Sequence, residues 1–385
     1  MPAVFESDVD HSEYGDRVRW PIFPAVRLHL ESMSDAVGVW QHARGTQPDR
    51  AFGYCTDDVA RALVVDALHS RQLGLPAVDW SIGRSLRFID SAYDHASGRF
   101  LNFRAADGRW LDLPASEDCH ARAMVGLAAV MEELPLTDRA EEAGRLFQIA
   151  LPASLELSAP RAVSAALLAC DSAIKTDYCA EAEPAFRVLA KRLVGLFGEP
   201  PADWPWFEQQ LTYENAIVPR ALIVAGSRQG QVAVVERGCA VLDWLIRVQV
   251  DESGSFSPIG NSAWWSRTEE RSRFDQQPIE AAAMVSATAD AFRATGRRHY
   301  LRAAESAYGW FLGSNDLGVP LALPASGGCQ DGLTPDGPNT NQGAESTLMW
   351  LTALEQTRDL RRTAAAGGAP EVLPAPSADG PRRGE

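Results

Sequence analysis

Five stretches of the chain crowd acids, amides and aromatic rings into short spans. They read Tyr54-Cys55-Thr56-Asp57-Asp58, Ser116-Glu117-Asp118-Cys119-His120, Trp204-Pro205-Trp206-Phe207-Glu208 with Tyr213-Glu214-Asn215, Phe274-Asp275-Gln276-Gln277-Pro278-Ile279-Glu280, and Asn339-Thr340-Asn341-Gln342-Gly343-Ala344-Glu345. An Asp, Ser, Thr or Glu at a helix start caps free N–H groups and complements the helix dipole. That role accounts for any one of these acids taken singly. It does not account for doubled acids, paired glutamines and tryptophans. Sugar hydroxyls take carboxylate acceptors and amide donors, and sugar C–H faces stack on indole rings. Glycosidic cleavage uses two carboxyls, one protonated and one ionised. Crowded carboxylates drive one another's pKa values apart, which separates those roles.

On this reading the candidate catalytic carboxyls are Asp57 or Asp58 with Glu208, and Asp275 and Glu345 stand in reserve. Tyr54, Trp206, Trp264, Gln276, Gln277, Asn341 and Gln342 are expected to hold the sugar, with Trp204, Trp265, Tyr213 and His120 as further contacts. The four tryptophans lie in long loops, where the alternative role is packing beneath the loop. Arg61 follows Asp57 by one turn. It either forms a local ion pair or orients a catalytic carboxylate. Cys119-His120 lacks the partner spacing of a metal site, no G-x-S-x-G elbow occurs, and Gly327-Gly328 lacks the strand and Lys-Ser/Thr of a phosphate loop. No metal or cofactor is expected.

The elements that carry these clusters alternate along the chain. Amphipathic segments at 22–42, 80–93, 138–151, 181–197, 231–248 and 297–312 interleave with segments apolar nearly all round at 58–69, 118–131, 161–170, 214–225, 278–292 and 344–355. A helix wet on one side shows a stripe, and a helix apolar all round is buried. Six of each predict an all-α (α/α)6 toroid, an outer ring around an inner ring. Long period-two runs of β-branched residues are missing, so strand signals are weak. Connections into the inner helices are mostly long, at 94–117, 198–213, 249–277 and 313–343, and loops beyond about 12–15 residues are uncommon unless functional. In a toroid they emerge on one face, around the inner-helix N-termini, where five of the six inner helices carry a polar cluster. The third starts Ser158-Ala159-Pro160-Arg161 and lacks the acid. Asp94–Phe100 and Asp251–Phe256 echo each other as turns after an outer helix, as a repeated hairpin unit would.

Bulk properties narrow the partners. The chain has 385 residues, 46% hydrophobic and 23% charged, with a net charge of −15. Such an excess of acid repels phosphate backbones and anionic lipid, so neither nucleic acid nor a membrane is expected as a partner. Six cysteines occur with no C-x-x-C pair, which reads as reduced thiols in a cytoplasmic protein. The acidic N-terminus has no apolar h-region, and no apolar run approaches the roughly 18 residues of a membrane span. The expected division is an N-terminal extension at 1–20, the toroid at 21–360 and a disordered tail at 361–385.

The segments Phe52–Leu63, Trp204–Glu208 with Leu211–Asn215, and Asn341–Leu348 resemble a bacterial group of six-hairpin glycosidase-like proteins, found alone or joined to glycosyltransferase domains. The resemblance spans roughly 21–357 and is most specific around Asp57 and Asp58. Where Val59 stands, the group more often has Asn. The resemblance implies the toroid fold, a carbohydrate substrate and a glycosyltransferase as a potential partner. It leaves the reaction open, because fold does not fix function. Glycoside hydrolysis is the first expectation. Phosphorolysis and sugar epimerisation or isomerisation are alternatives. Epimerisation usually uses a histidine base, and of seven histidines only His120 sits at an inner-helix start. A non-catalytic glycan-binding partner of a glycosyltransferase is the rival from another class. Two carboxyls about 5–9 Å apart across an open cleft favour hydrolysis, whereas acids all paired to arginines favour binding or structure.

Overall fold

The computed structural model describes residues 20–112, 115–198, 201 and 203–367. Its helices, in chain order, are α1 (Leu28–Ser32), α2 (Thr56–Leu73), α3 (Leu75–Ala92), α4 (Glu117–Glu133), α5 (Asp138–Ser154), α6 (Pro160–Ile174), α7 (Ala182–Leu196), α8 (Ile217–Gln229), α9 (Val232–Val248), α10 (Pro278–Thr295), α11 (His299–Phe311) and α12 (Ala344–Ala365). The even-numbered helices pack in sequence, and α12 closes on α2, so they form a complete inner ring. Each of α3, α5, α7, α9 and α11 lies against the even-numbered helix that precedes it. This is the predicted (α/α)6 toroid.

The two rings differ in the way the sequence pattern requires. In α10 every residue from Pro278 to Ala289 is buried, because neighbours surround the helix. In α9 the buried residues form a stripe through Val235, Cys239, Leu242 and Leu245, the three-to-four spacing of a helix wet on one side. Tight turns join inner to outer helices. Gly74 alone separates α2 from α3, and Gly230 ends α8 at φ +65, a left-handed stop that favours glycine.

The first outer position departs from expectation. A helix was predicted across 22–42, but only Leu28–Ser32 is α-helical there. The Asp35 carboxylate accepts from the Val37 and Gly38 N–H groups and turns the chain out of helical conformation. Trp40 then bridges to Tyr54 and stacks on its ring at 4.2 Å. The irregular segment is held by Arg27, which reaches Asp66 at 2.6 Å and His69 Nδ1 at 3.2 Å. At the other end α12 continues to Ala365, past the boundary expected at 360. The N-terminal extension at 1–19 and the tail from 368 lie outside the described residues.

The long loops build small antiparallel hairpins of two- and three-residue strands, too short to leave a period-two signal. The repeated Asp-to-Phe segments are the same device twice. Asp94 accepts from the Ala96 and Ser97 N–H groups, and Asp251 from those of Ser253 and Ser255. Only the connection at 155–159 into α6 is short, and α6 is the inner helix whose start lacks an acid. Glu117 supplies it, accepting from the Ser158 and Ala159 N–H groups, each at 2.7 Å.

Candidate active site

The first inner helix opens with the doubled acid. Gly53 sits at φ +69 where a Cβ would run into the Arg104 carbonyl, so glycine lets Tyr54-Cys55 pair closely with Phe103-Arg104. That pairing places Asn102 beside the helix start. Its side-chain oxygen accepts from the Asp57 N–H at 3.2 Å, and its amide donates to Asp57 Oδ2 at 3.2 Å. Asp58, one residue on, turns inward and is only 3% exposed. Arg61 donates through Nη1 to Asp58 Oδ1 and through Nη2 to Glu345 Oε2, both at 2.8 Å. One guanidinium thus ties the start of α2 to the start of α12.

A second layer of pairs continues round the ring. Arg122 of α4 donates through Nη2 to Glu214 Oε2 at 2.8 Å, and its Nε lies 3.7 Å from Asp57 Oδ1. Glu214 sits at φ +47 in the turn before α8, so this helix begins at Ile217 rather than at 214 as predicted. Its N–H donates to Glu280 of α10. Asn215 joins Glu280 to Arg161 of α6, whose Nη1 reaches Glu208 Oε2 at 3.1 Å. Tyr213 lies over the Arg161 guanidinium at 4.9 Å and donates its hydroxyl to Asp118. Every inner helix contributes to this arginine–carboxylate layer, or is preceded by a residue that does.

The layer sorts its carboxyls electrostatically. Burial pushes Asp58 up to about 7. Arg61 opposes that rise, and the neighbouring Glu345 and Asp57 reinforce it. Burial likewise pushes Glu280 up to about 7. Burial pushes Glu214 up as well, but the Arg122 guanidinium, with Arg61 and Arg161 nearby, outweighs it and holds the carboxyl below its ordinary value. Two acids that can carry a proton near neutral pH therefore sit in one network with Glu214, whose carboxyl is held the other way. That is the condition for acid and base roles to separate.

The residues expected from sequence divide clearly. Asp57, Asp58, Arg61 and Glu345 come together at the α2–α12 seam, and Glu208 and Tyr213 come together on Arg161. Asp275, at φ +61, is part-exposed in the loop before α10, and Gln277 bonds back to its carbonyl oxygen. Asn341 accepts from the Gly45 N–H and fixes a loop.

Other expected contacts point elsewhere. Tyr54 is buried against Trp40 and donates to Asp35. Gln276 is fully buried, bonded to Asp316 at 2.6 Å and to Trp310 at 2.7 Å. Gln342 is 6% exposed, and its carbonyl oxygen meets His29. His120 is fully buried, stacked on Phe100 with Nε2 on Ser154, and burial takes it down to about 4. Trp204 packs on Trp244 and Trp265, and Trp206 lies fully buried against Phe207. Trp264 donates to Asn261 in its own loop, and Trp265 stacks on Trp244. Trp204, Trp206 and Trp265 pack the loops, because an indole finds more apolar area beneath a loop than on its surface, and Trp264 stays part-exposed.

Sequence reasoning missed Arg122, Arg161, Asn102, Glu214 and Glu280 as site members. Arg122 follows Asp118 by four residues, as Arg61 follows Asp58 by three, a spacing that returns the guanidinium to the same helix face, and Glu214 and Glu280 stand inside the polar clusters, whereas Arg161 and Asn102 carry no such signal. Below the layer the inner helices enclose a cavity of about 460 Å³. It runs from Arg61, Arg122 and Glu214 down to the helix C-termini. Among the described residues no group of His, Cys, Asp and Glu is arranged to hold a metal ion, and no helix is long and apolar enough to cross a membrane.

No protein-family model matches the sequence, and no curated protein matches it. Solved structures do. The chain is similar to a cellobiose 2-epimerase from Spirochaeta thermophila, with a TM-score of 0.65 and 14% identity over 87% of this chain and 93% of that one. It is similar to a D-mannose isomerase, with a TM-score of 0.65 and 10% identity over 86% and 94% of the two chains. It is also similar to an α-mannanase from Bacteroides thetaiotaomicron, with a TM-score of 0.60 and 9% identity over 88% and 94%. At such identities the likeness is one of architecture, and it agrees with the closed ring of inner helices in assigning the chain the (α/α)6 toroid fold.

Proposed function

We propose that the protein is a carbohydrate-active enzyme that cleaves a glycosidic bond at the loop face of the toroid. The observation that carries this reading is the Asp58 carboxyl, pushed up to about 7 within a layer of paired carboxyls and arginines at the inner-helix starts. Asp58 supplies the proton to the leaving oxygen. Asp57, held by Asn102, or Glu208, held by Arg161, acts as the second carboxyl. Glu345, with its side chain 40% exposed, and Tyr213 contact the saccharide from opposite sides of the layer. Solved structures of similar architecture include proteins named as a mannanase, an epimerase and an isomerase of sugars, which supports a saccharide as substrate. Six unpaired, buried cysteines support a reducing, cytoplasmic setting.

A second reading has its own observation. Asp58, Glu345, Glu214 and Glu208 each meet an arginine, an arrangement that favours glycan binding without turnover, as in a partner of a glycosyltransferase. An epimerase is favoured less, because the one histidine at an inner-helix start, His120, is buried against Phe100 and Ser154. The test is conversion of manno-, gluco- and galacto-oligosaccharides to shorter saccharides, with and without phosphate. Phosphate-independent release supports hydrolysis, and a phosphate requirement moves the reaction to phosphorolysis. Saturable binding with no release of any kind replaces the enzyme by the binding module.

A further inference from the structure

Short antiparallel segments cross the start of α2, and their register sorts the side chains onto two faces. Tyr54 pairs with Arg104, and Arg104 bridges to Trp110. Side chains in one such row project to the same face. This row packs outward on α3, where Tyr54 meets the Phe88 ring and the Arg104 guanidinium lies 5.7 Å from the rings of both Phe88 and Trp110. The next row runs through Cys55, Phe103 and Leu111. Cys55 is paired with Phe103, and the Leu111 N–H donates to the Phe103 carbonyl oxygen at 2.8 Å. It projects to the other face, over the inner-helix starts. Cys55 marks that direction, since burial pushes its thiol up and the nearby Asp58 and Asp57 carboxylates add to the rise.

Along this second row the side chains emerge into solvent. Cys55 is buried, Phe103 is 40% exposed and Leu111 is 58% exposed. The Phe103 backbone is clamped all the same. Asp112 accepts from the Asn102 and Phe103 N–H groups, both at 2.8 Å, and the Leu111 N–H holds the carbonyl. Asn102, the residue before the ring, is the one that holds Asp57. A single exposed apolar side chain is ordinary on a protein surface. Here two adjoin on a fixed backbone, at the edge of the acid cluster. A ring fixed in advance loses little freedom when a ligand lies on it, so more of the contact is retained as affinity.

A second exposed ring faces the same helix start from the other side. Tyr213 lies over Arg161 of α6 and donates to Asp118 in the first turn of α4, whereas Phe103 stands over α2. Since α4 packs between α2 and α6, the two rings bracket its start, with Arg122 and Asp57 between them.

We propose that Phe103, with Leu111 at its edge, is a sugar-stacking platform that takes a pyranose unit beyond the one at Tyr213. This rests on the carbohydrate reading of the site and narrows it. The phenyl ring has no hydrogen-bonding group, so it offers a sugar only its C–H face, while Asp57 beside it offers an acceptor to a hydroxyl. The substrate is then an oligosaccharide of two or more units lying across the α4 start, not a single sugar.

Calorimetric titration of the full chain with manno-, gluco- and galacto-saccharides of one to four units reads affinity without turnover. Affinity is expected to rise on passing from one unit to the longer saccharides. Phe103→Ala is expected to remove that rise, weakening the longer saccharides roughly tenfold or more while single sugars bind as before. Phe103→Tyr keeps the flat ring and is expected to keep the rise. Should Phe103→Ala not fold, Phe103→Leu keeps the apolar bulk and removes only the flat face. A folded Phe103→Ala or Phe103→Leu that binds the longer saccharides as wild type does, or that loses single sugars equally, overturns the platform and leaves the carbohydrate reading standing. Absence of saturable binding by every saccharide also overturns the platform. Conversion by wild type, measured separately, then decides whether the carbohydrate reading falls with it.

Discussion

Arg61 of α2 and Glu345 of α12 meet at 2.8 Å across the seam where the last inner helix closes on the first. The same guanidinium holds buried Asp58, so one residue both closes the ring and sets the environment of the carboxyl with the raised pKa. Removing one partner of a buried pair strands the other. Arg61→Met is expected to lower stability by about 3–5 kcal/mol, read from the denaturant midpoint. Glu345→Gln, at a side chain 40% exposed, is expected to cost under about 1 kcal/mol. A larger loss in Glu345→Gln than in Arg61→Met would contradict this division.

Asp58 and Glu280 also set the pH dependence of stability. Each carboxyl has a folded pKa near 7, above its unfolded value, so the folded state holds more protons between roughly pH 4 and 7. Their contribution is fully present below the unfolded pKa and is lost as pH rises through about 7. Asp58→Asn removes one of the two protons. The slope of unfolding free energy between pH 5 and 7 is expected to flatten by up to about 1.4 kcal/mol per pH unit. An unchanged slope in urea titrations would show that Asp58 ionises normally in the fold.

The loop tryptophans separate packing from recognition. Trp206 is 2% exposed, so Trp206→Ala is expected to cost about 3–5 kcal/mol of stability. Saccharide affinity, measured on the folded protein at low temperature, should stay unchanged. Tyr213→Ala is expected to behave in the opposite way, because its ring is 37% exposed over Arg161. Loss of affinity in folded Trp206→Ala would return the indole to the site.

Asn102 is a positioning residue, since it touches Asp57 through both its side-chain oxygen and its amide. Asn102→Ala is expected to reduce kcat by about tenfold or more with KM nearly constant, the effect of losing roughly 1.4 kcal/mol of orientation. A pure KM effect would place Asn102 in binding instead.

The fold was legible because burial repeats. Segments apolar all round, such as that in α10, alternate with striped ones such as that in α9, and six alternations make a ring. The first outer segment was not legible, because a single Asx turn at Asp35 overrides an amphipathic pattern that would otherwise run on as a helix. The acids at the inner-helix starts were found from their clustering. Their partners were harder to find, because Arg122 and Arg161 gain meaning only when two helices distant in sequence face each other. Loop aromatics were the weakest signal. Composition cannot distinguish a tryptophan that walls a cup from one that props a loop, and Trp204 and Trp206 prop. Asn102 left no trace at all, since it lies in a loop and works through a two-residue strand pairing.

The most direct test of the central claim is the rate of reducing-sugar release by wild type, Asp58→Asn and Glu208→Gln on one cleaved oligosaccharide, measured from pH 5 to 9 on folded protein. The account predicts release by wild type that falls as pH rises above about 7, as the Asp58 proton is lost. It predicts loss of release in both variants by a hundredfold or more, in the roughly 10²–10⁴ range of general acid–base catalysis. Full activity in Asp58→Asn, or a wild-type rate that holds level through pH 9, would contradict it.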